Sequence, residues 1–273
     1  MSKNIIYRIY GISFILTLIM LFVFMYLNNH LNGSYWQTFQ QSKSALNAEY
    51  CELDQSTHFF RQTMNTYSNL MYFFLGMIAF LIGLYDHKSN QEADQNLVQQ
   101  FPAISIFFGC CLMYLCLGSA FFHASLTWIG QRVDMNGTYS ICITLIGLGC
   151  YRFFAKERMP VLLQLVIIGS LLLIVLIFIE IHLLVSSTIL LPLLIMLLVI
   201  GAILNYVRSK ESYNIQLAIL SLLLVIVAFI IRTADVKRIV CNPTSLYQGH
   251  ALWHFFTGMG AFMLYWFYRS EKA

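Results

Sequence analysis

Residues 101–123, FPAISIFFGCCLMYLCLGSAFFH, contain no Asp, Glu, Lys or Arg. A helix of roughly 20 residues, rising 1.5 Å per residue, crosses the hydrocarbon core of a bilayer. The next stretch, 124–134 (ASLTWIGQRVD), turns polar, and apolar sequence then resumes. Seven other runs have the same character: 7–27, 66–85, 135–154, 161–181, 186–207, 214–231 and 248–268. None alternates with the two-residue period of a strand. In lipid, only helices and closed barrels satisfy every backbone polar group. The pattern therefore predicts an all-α integral membrane bundle.

Composition agrees. Hydrophobic residues make up 59% of the 273 positions and charged residues 10%; mean hydropathy is +0.71. Soluble domains run at about 45–50% apolar and about 25% charged. The formal charge of +4 is modest, and its cations flank the apolar runs, so no nucleic-acid partner is implied. The first run follows Lys3 and Arg8 but is long, and Tyr26 to His30 offers no small-residue cleavage site. Residues 1–30 are read as a retained anchor helix, with a cleaved signal sequence as the alternative. Residues 31–273 form the main domain.

Basic residues set the expected orientation. With the N-terminus cytoplasmic and eight spans, ten cations face inside: Lys3, Arg8, Lys88, Arg152, Lys156, Arg158, Arg208, Lys210, Arg269 and Lys272. Six face outside: Lys43, Arg61, Arg132, Arg232, Lys237 and Arg238. Both termini are then cytoplasmic. Segments 28–65, 123–134 and 232–249 share the non-cytoplasmic face, so His123, Asp134 and His250 meet at one depth, with His254 one turn deeper.

His250 and His254 lie at i, i+4, which puts both imidazoles on one helical face. His123 offers a third nitrogen. Three protein ligands and an open fourth position are the pattern of catalytic zinc. Asp134 is placed to carry a proton, and Ser119, one turn before His123, to donate to an oxyanion or orient a ligand. The bland alternatives are interfacial histidines and a packing serine. Ionisable groups at membrane depth favour a site.

Ser119, His123 and Asp134, followed by the late His-x-x-x-His, together resemble the CREST superfamily of membrane hydrolases. That superfamily comprises alkaline ceramidases, GPI-remodelling proteins and progestin/adipoQ receptors. Two stretches are similar to alkaline ceramidases in particular: Glu49-Tyr50-Cys51-Glu52 with Asn65-Thr66-Tyr67-Ser68-Asn69, and Gln248 to His254 with Thr257-Gly258. The resemblance covers roughly residues 49–268. It implies a seven-transmembrane helix bundle of ceramidase type, here with one extra N-terminal helix. It implies zinc on His123, His250 and His254, with Asp134 and Ser119 as the catalytic pair. It also implies calcium on the side chains of Glu49, Glu52, Asp54 and Gln62 and the carbonyl of Tyr50; hard oxygen ligands suit that ion. Gln62 stands where the family has Glu, Tyr50 where it has Trp, and Met135-Asn136-Gly137 where it has Glu-Leu-Pro.

Seven cysteines are present. Five lie within apolar runs and read as small packing residues. Cys51 and Cys241 fall in outer-side loops, where an oxidising compartment favours a disulfide over two free thiols; the resemblance supports the bridge.

The expected function is zinc-dependent hydrolysis of the amide of ceramide, or a related lipid amide, to a sphingoid base and a fatty acid. The partners are then the bilayer and its lipid substrate, and no protein partner is implied. The alternatives are a lipid acyl-ester hydrolase of GPI-remodelling type and a seven-helix receptor or sensor holding structural zinc, with Asp134 a conceivable fourth ligand.

Overall fold

A computed structural model describes residues 1–89, 96–155, 157–209 and 213–271. Lys156, Lys210 and Lys272, counted above among the inner cations, lie outside the described residues. The described residues are 77% helical. In order, the helices are α1 (Lys3–His30), α2 (Lys43–Leu46), α3 (Thr63–Ser68), α4 (Leu70–Lys88), α5 (Pro102–Ser125), α6 (Trp128–Phe154), α7 (Val161–Leu184), α8 (Ser187–Arg208), α9 (Ile215–Val236) and α10 (Gly249–Arg269). Six described segments are long and apolar enough to cross a membrane: α1, α3 with α4, α5, α7 to Glu180, α8 and α9. The other two long helices, α6 and α10, carry the polar residues Arg132, Asp134 and Asn136, and His250 and His254, which lower their mean hydropathy.

Helix α5 is the central post. It packs against α4 on one side and α6 on the other, while α10 leans on α3, α4, α6 and α9. Gly76 of α4 and Gly109 of α5 make the α4–α5 crossing close. A Cβ on Gly109 would lie 2.6 Å from the Gly76 carbonyl oxygen and 2.7 Å from Phe80 N. By contrast, α1, α7, α8 and α9 turn large apolar side chains outwards, among them Phe14, Phe22, Leu165, Leu197 and Leu223. Those faces suit lipid.

The sequence reading began the fourth run at residue 135, but α6 starts seven residues earlier. Leu126 adopts φ 52°, ψ 28°, which ends α5, and the Thr127 hydroxyl then accepts from Gly130 N at 3.1 Å as the N-cap of α6. Such a cap satisfies a backbone donor that the first turn otherwise leaves open. Asp134 consequently sits inside a helix. The polar first turns of α6 are matched by partners: Arg132 donates to Ile179 O at 3.0 Å and to Glu180 at 3.1 Å, and Gln131 donates to Ser44.

Segment 28–65 is an ordered cap over the α5–α6 turn. Arg61 N donates to Ala124 O (3.1 Å), Gln62 N to His123 O (3.0 Å), Ser42 N to Leu126 O (3.0 Å) and Trp128 N to Gln40 O (2.8 Å). The first three bonds cover carbonyls at the α5 C-terminus, which have no helical partner of their own.

At the opposite end of the bundle, Arg269 of α10 forms a two-pronged pair with Asp86 of α4, at 2.6 and 2.9 Å, and both residues are buried. Asn96 Nδ2 adds a bond to Arg269 O at 2.9 Å, and Arg152 pairs with Glu271.

Overpacking the α4–α5 crossing costs about 1–3 kcal/mol. Gly109→Val is therefore expected to lower the detergent-solubilised melting temperature, whereas Gly169→Ala, at a position with open space around it, is expected to leave it nearly unchanged. Differential scanning fluorimetry of the two variants checks this.

Candidate metal centre

His123 lies in the last turn of α5; His250 and His254 lie in the first two turns of α10. All three are buried, and their candidate ligand nitrogens fall within 4.8 Å of one another. Ring centroids are 4.8 Å apart for His123 and His250, 5.2 Å for His123 and His254, and 4.6 Å for His250 and His254. Nε2 of His123 and Nε2 of His250 are 3.1 Å apart. Two zinc–nitrogen bonds of about 2.0–2.1 Å at a tetrahedral angle put their nitrogens about 3.3 Å apart, so this donor set fits zinc. Among the described residues this is the only such group of three His, Cys, Asp or Glu, and Asp134 is not part of it. Among the described residues, no further His, Cys, Asp or Glu joins the three imidazoles.

Ser119, Asp134, His250 and His254 line one cavity of about 230 Å³, together with Tyr50, Tyr72, Arg232 and Trp253. The side chains of Ser119 and Asp134 face each other, but Ser119 Oγ makes no hydrogen bond of full geometry. A second cavity, about 260 Å³ and almost wholly apolar, shares Tyr72, Leu115, Thr138, Leu191, Phe229 and Trp253 with the first. It runs between α8, α9 and α10, where α8 and α9 barely touch.

The N-terminus of α10 is fixed by Asp235. One carboxylate oxygen accepts from His250 N at 3.2 Å, and the other from Cys51 N at 3.1 Å. Gly249 makes room for this grip, since a Cβ there would lie 2.8 Å from Asp235 Oδ1. Cys51 and Cys241 form a disulfide with Cα atoms 5.6 Å apart. The Tyr50 ring lies against His250, centroids 4.4 Å apart, and burial pushes its phenol pKa up.

Four of the residues considered for calcium have other partners here. Glu49 pairs with Arg232 at 3.0 Å, and Asp54 is taken by the Arg61 guanidinium, with Nε at 2.7 Å and a second, shorter contact. Glu52 accepts from Met64 N (2.6 Å) and Asn65 N (2.8 Å). Burial pushes its carboxyl up to about 7 against the pull of those two donors. Gln62 turns its carbonyl to His123 Nδ1 at 2.8 Å. As placed, Glu49 and Asp54 each face an arginine, and Glu52 faces two backbone amides.

The sequence matches the family model described as Ceramidase over residues 41–271. The chain belongs to the Ceramidase family. The match spans α2 to α10 and leaves α1 outside. Among curated proteins, none matches the chain. Membership of the Ceramidase family supports a ceramide-hydrolysing enzyme that acts on an amide bond in a lipid substrate. Within this family member, sequence reasoning passed over Gln62 as a neighbour of His123, Ser68, Asp235 and Arg232. Their roles come from contacts across 61, 186, 184 and 183 residues of chain. Asp235 had one local signal: it closes α9 shortly before Cys241 and the Gly249-His250 pair that opens α10.

Removing a disulfide of this kind costs about 2–5 kcal/mol. Cys241→Ser, or reduction of the wild type, is expected to lower the melting temperature and to loosen the α10 N-terminus. Hydrogen exchange of the His250 and Ala251 amides, with and without reductant, reads the second effect.

Proposed function

We propose that this chain is a zinc-dependent amidase that cleaves ceramide, or a related lipid amide, to a sphingoid base and a free fatty acid. The observation that carries the reading is the cluster of three buried imidazoles, two of which, His250 and His254, line a cavity together with Ser119 and Asp134. His123, His250 and His254 hold the metal. When bound, zinc supplies a Lewis acid and lowers the pKa of water. Asp134 takes the proton that water loses and delivers it to the leaving nitrogen. The Ser119 hydroxyl, uncommitted elsewhere, donates to the carbonyl oxygen as negative charge builds there. Arg232, on the cavity wall, is already paired with Glu49 and stays out of the proton transfer.

The apolar cavity accounts for the lipid chains. Leu198 and Ala202 of α8, Ala218 and Leu222 of α9, and Ala261 and Leu264 of α10 wall it. The gap between α8 and α9 gives a path from the bilayer. In this proposal all eight long helices cross the membrane, both termini are cytoplasmic, the centre lies near the non-cytoplasmic face, and residues 1–30 are an anchor added to the ceramidase-like domain. Calcium has no step in it. A structural zinc site in a receptor fits less well, because such a site closes its fourth position with a protein ligand.

The test is release of fatty acid from labelled ceramide by purified protein of measured zinc content. Asp134→Asn is expected to lower kcat by about 10²–10⁴, and Ser119→Ala by about 10²–10³, both with zinc retained. Undiminished turnover in Asp134→Asn removes the proton-carrier role. Turnover of acyl esters with ceramide inert replaces the amidase by an esterase.

Filling the cavity tests the lipid path separately. Ala218→Trp is expected to raise KM for long-chain ceramide at least tenfold while sparing a short-chain analogue, because each buried methylene that loses its place forfeits about 0.8 kcal/mol. A chain-length series of KM values checks it.

A further inference from the structure

The short helix α3 touches two of the three imidazoles, and the hydrogen bonds at its ends constrain which nitrogen of each ring carries hydrogen. Ser68 Oγ lies 2.9 Å from Asn65 O and 2.7 Å from His254 Nδ1. A hydroxyl carries one proton. Asn65 O can only accept, and Ser68 Oγ donates its proton there beside the Asn69 Nδ2 donor at 2.8 Å. Ser68 Oγ therefore accepts from His254 Nδ1–H, which leaves His254 Nε2 without hydrogen.

The same count applies to Gln62. Its Oε1 lies 2.8 Å from His123 Nδ1 and 3.3 Å from Asn65 Nδ2. Its Nε2 is on the side of Glu52 O, at 3.5 Å. A flipped amide would set Gln62 Oε1 against the Glu52 carbonyl oxygen, which can only accept, so the oxygen belongs where it is. An amide oxygen only accepts. His123 Nδ1 thus carries the hydrogen, and His123 Nε2 is bare where it faces His250 Nε2 at 3.1 Å. The backbone strengthens the grip, since Gln62 N donates to His123 O at 3.0 Å. Gln62 is buried and makes no side-chain cap for α3, the usual duty of a residue at that place. Asn65 joins the two ends, and Glu52 anchors it through Asn65 N at 2.8 Å.

We infer that Gln62 and Ser68 are positioning residues that fix His123 and His254 in the Nδ1–H tautomer and so present both Nε2 atoms to one metal ion. This rests on the zinc reading above and deepens it. Outer partners of this type raise ligand basicity and lock ring orientation, and their loss costs about 10–100-fold in metal affinity. His250 is held differently: its Nδ1 meets no partner among the described residues, and its backbone bond to Asp235 and the Tyr50 ring orient it instead.

The experiment measures zinc affinity of full-length protein in zinc-buffered detergent solution, with metal content read by mass spectrometry and geometry by the visible spectrum after cobalt substitution. Wild type is expected to hold one zinc. Gln62→Leu, which keeps the bulk and loses the acceptor, is expected to weaken binding about 10–100-fold and to broaden the cobalt bands. Ser68→Ala is expected to do the same. Gln62→Glu keeps the acceptor and is expected to bind zinc at least as tightly as wild type. Wild type without zinc overturns the zinc reading and this inference with it. Wild type with zinc, and both Gln62→Leu and Ser68→Ala within twofold of it, overturns the inference alone. So does a Gln62→Glu variant as weak as Gln62→Leu, since the acceptor would then not be what matters. Should Gln62→Leu fail to fold, Ser68→Ala decides.

Discussion

Nε2 of His123 and Nε2 of His250 face each other at 3.1 Å inside a bundle of apolar helices. Two lone pairs at that distance repel unless a proton or a cation lies between them. Neither helix has a reason of its own to bring its imidazole there. The meeting is imposed from outside the two helices, by groups that grip the last turn of α5 and the first turn of α10. Residues 61 and 62 hold the α5 carbonyls, and Asp235 holds the α10 amide. The disulfide and the Asp235 bond to Cys51 then join the two grips into one piece. Helix ends are useful for this because their backbone groups are free to be bound.

The rest of the bundle divides by what each helix must exclude. Helices α4, α5, α6 and α10 contribute most of the buried side chains and keep water from the centre except through the cavity. Helices α7, α8 and α9 present leucine, isoleucine and valine outward, and their loose mutual packing leaves the apolar cavity open. Tight crossings such as Gly76 on Gly109 and loose ones such as α8 on α9 divide the bundle: the first brings backbones into contact, the second leaves a gap beside the apolar cavity.

Much of this was legible in the sequence because its signals are local. Twenty apolar residues mark a helix wherever it packs, and His250 and His254 share a face in any helix. The start of α6 was missed because its first turns are polar, and their partners, Ser44, Ile179 and Glu180, lie far away in the chain. The acidic segment carried a subtler ambiguity. Glu49, Glu52 and Asp54 sit close together in sequence, as calcium ligands do. Yet Arg61 is seven residues from Asp54 and Arg232 is 183 from Glu49, and only the folded chain brings the second of these near. Gln62 and Ser68 stood out in the sequence only through the family resemblance, and their contacts to His123 and His254 cross 61 and 186 residues of chain.

The buried pair of Asp86 and Arg269 has a consequence for how the protein is made. The two residues are 183 positions apart. At translation speeds of about 5–20 residues per second, Asp86 is inserted roughly 10–40 s before its partner exists. Until then α4 holds a carboxyl group in the membrane with no arginine to meet it, and α5 holds one histidine with no others. Helix α10 relieves both at once, bringing Arg269 to one end and His250 and His254 to the other. Completion of the candidate metal centre and of this buried ion pair thus both wait for α10, and a nascent chain stopped short of it lacks two of the three imidazoles and the arginine.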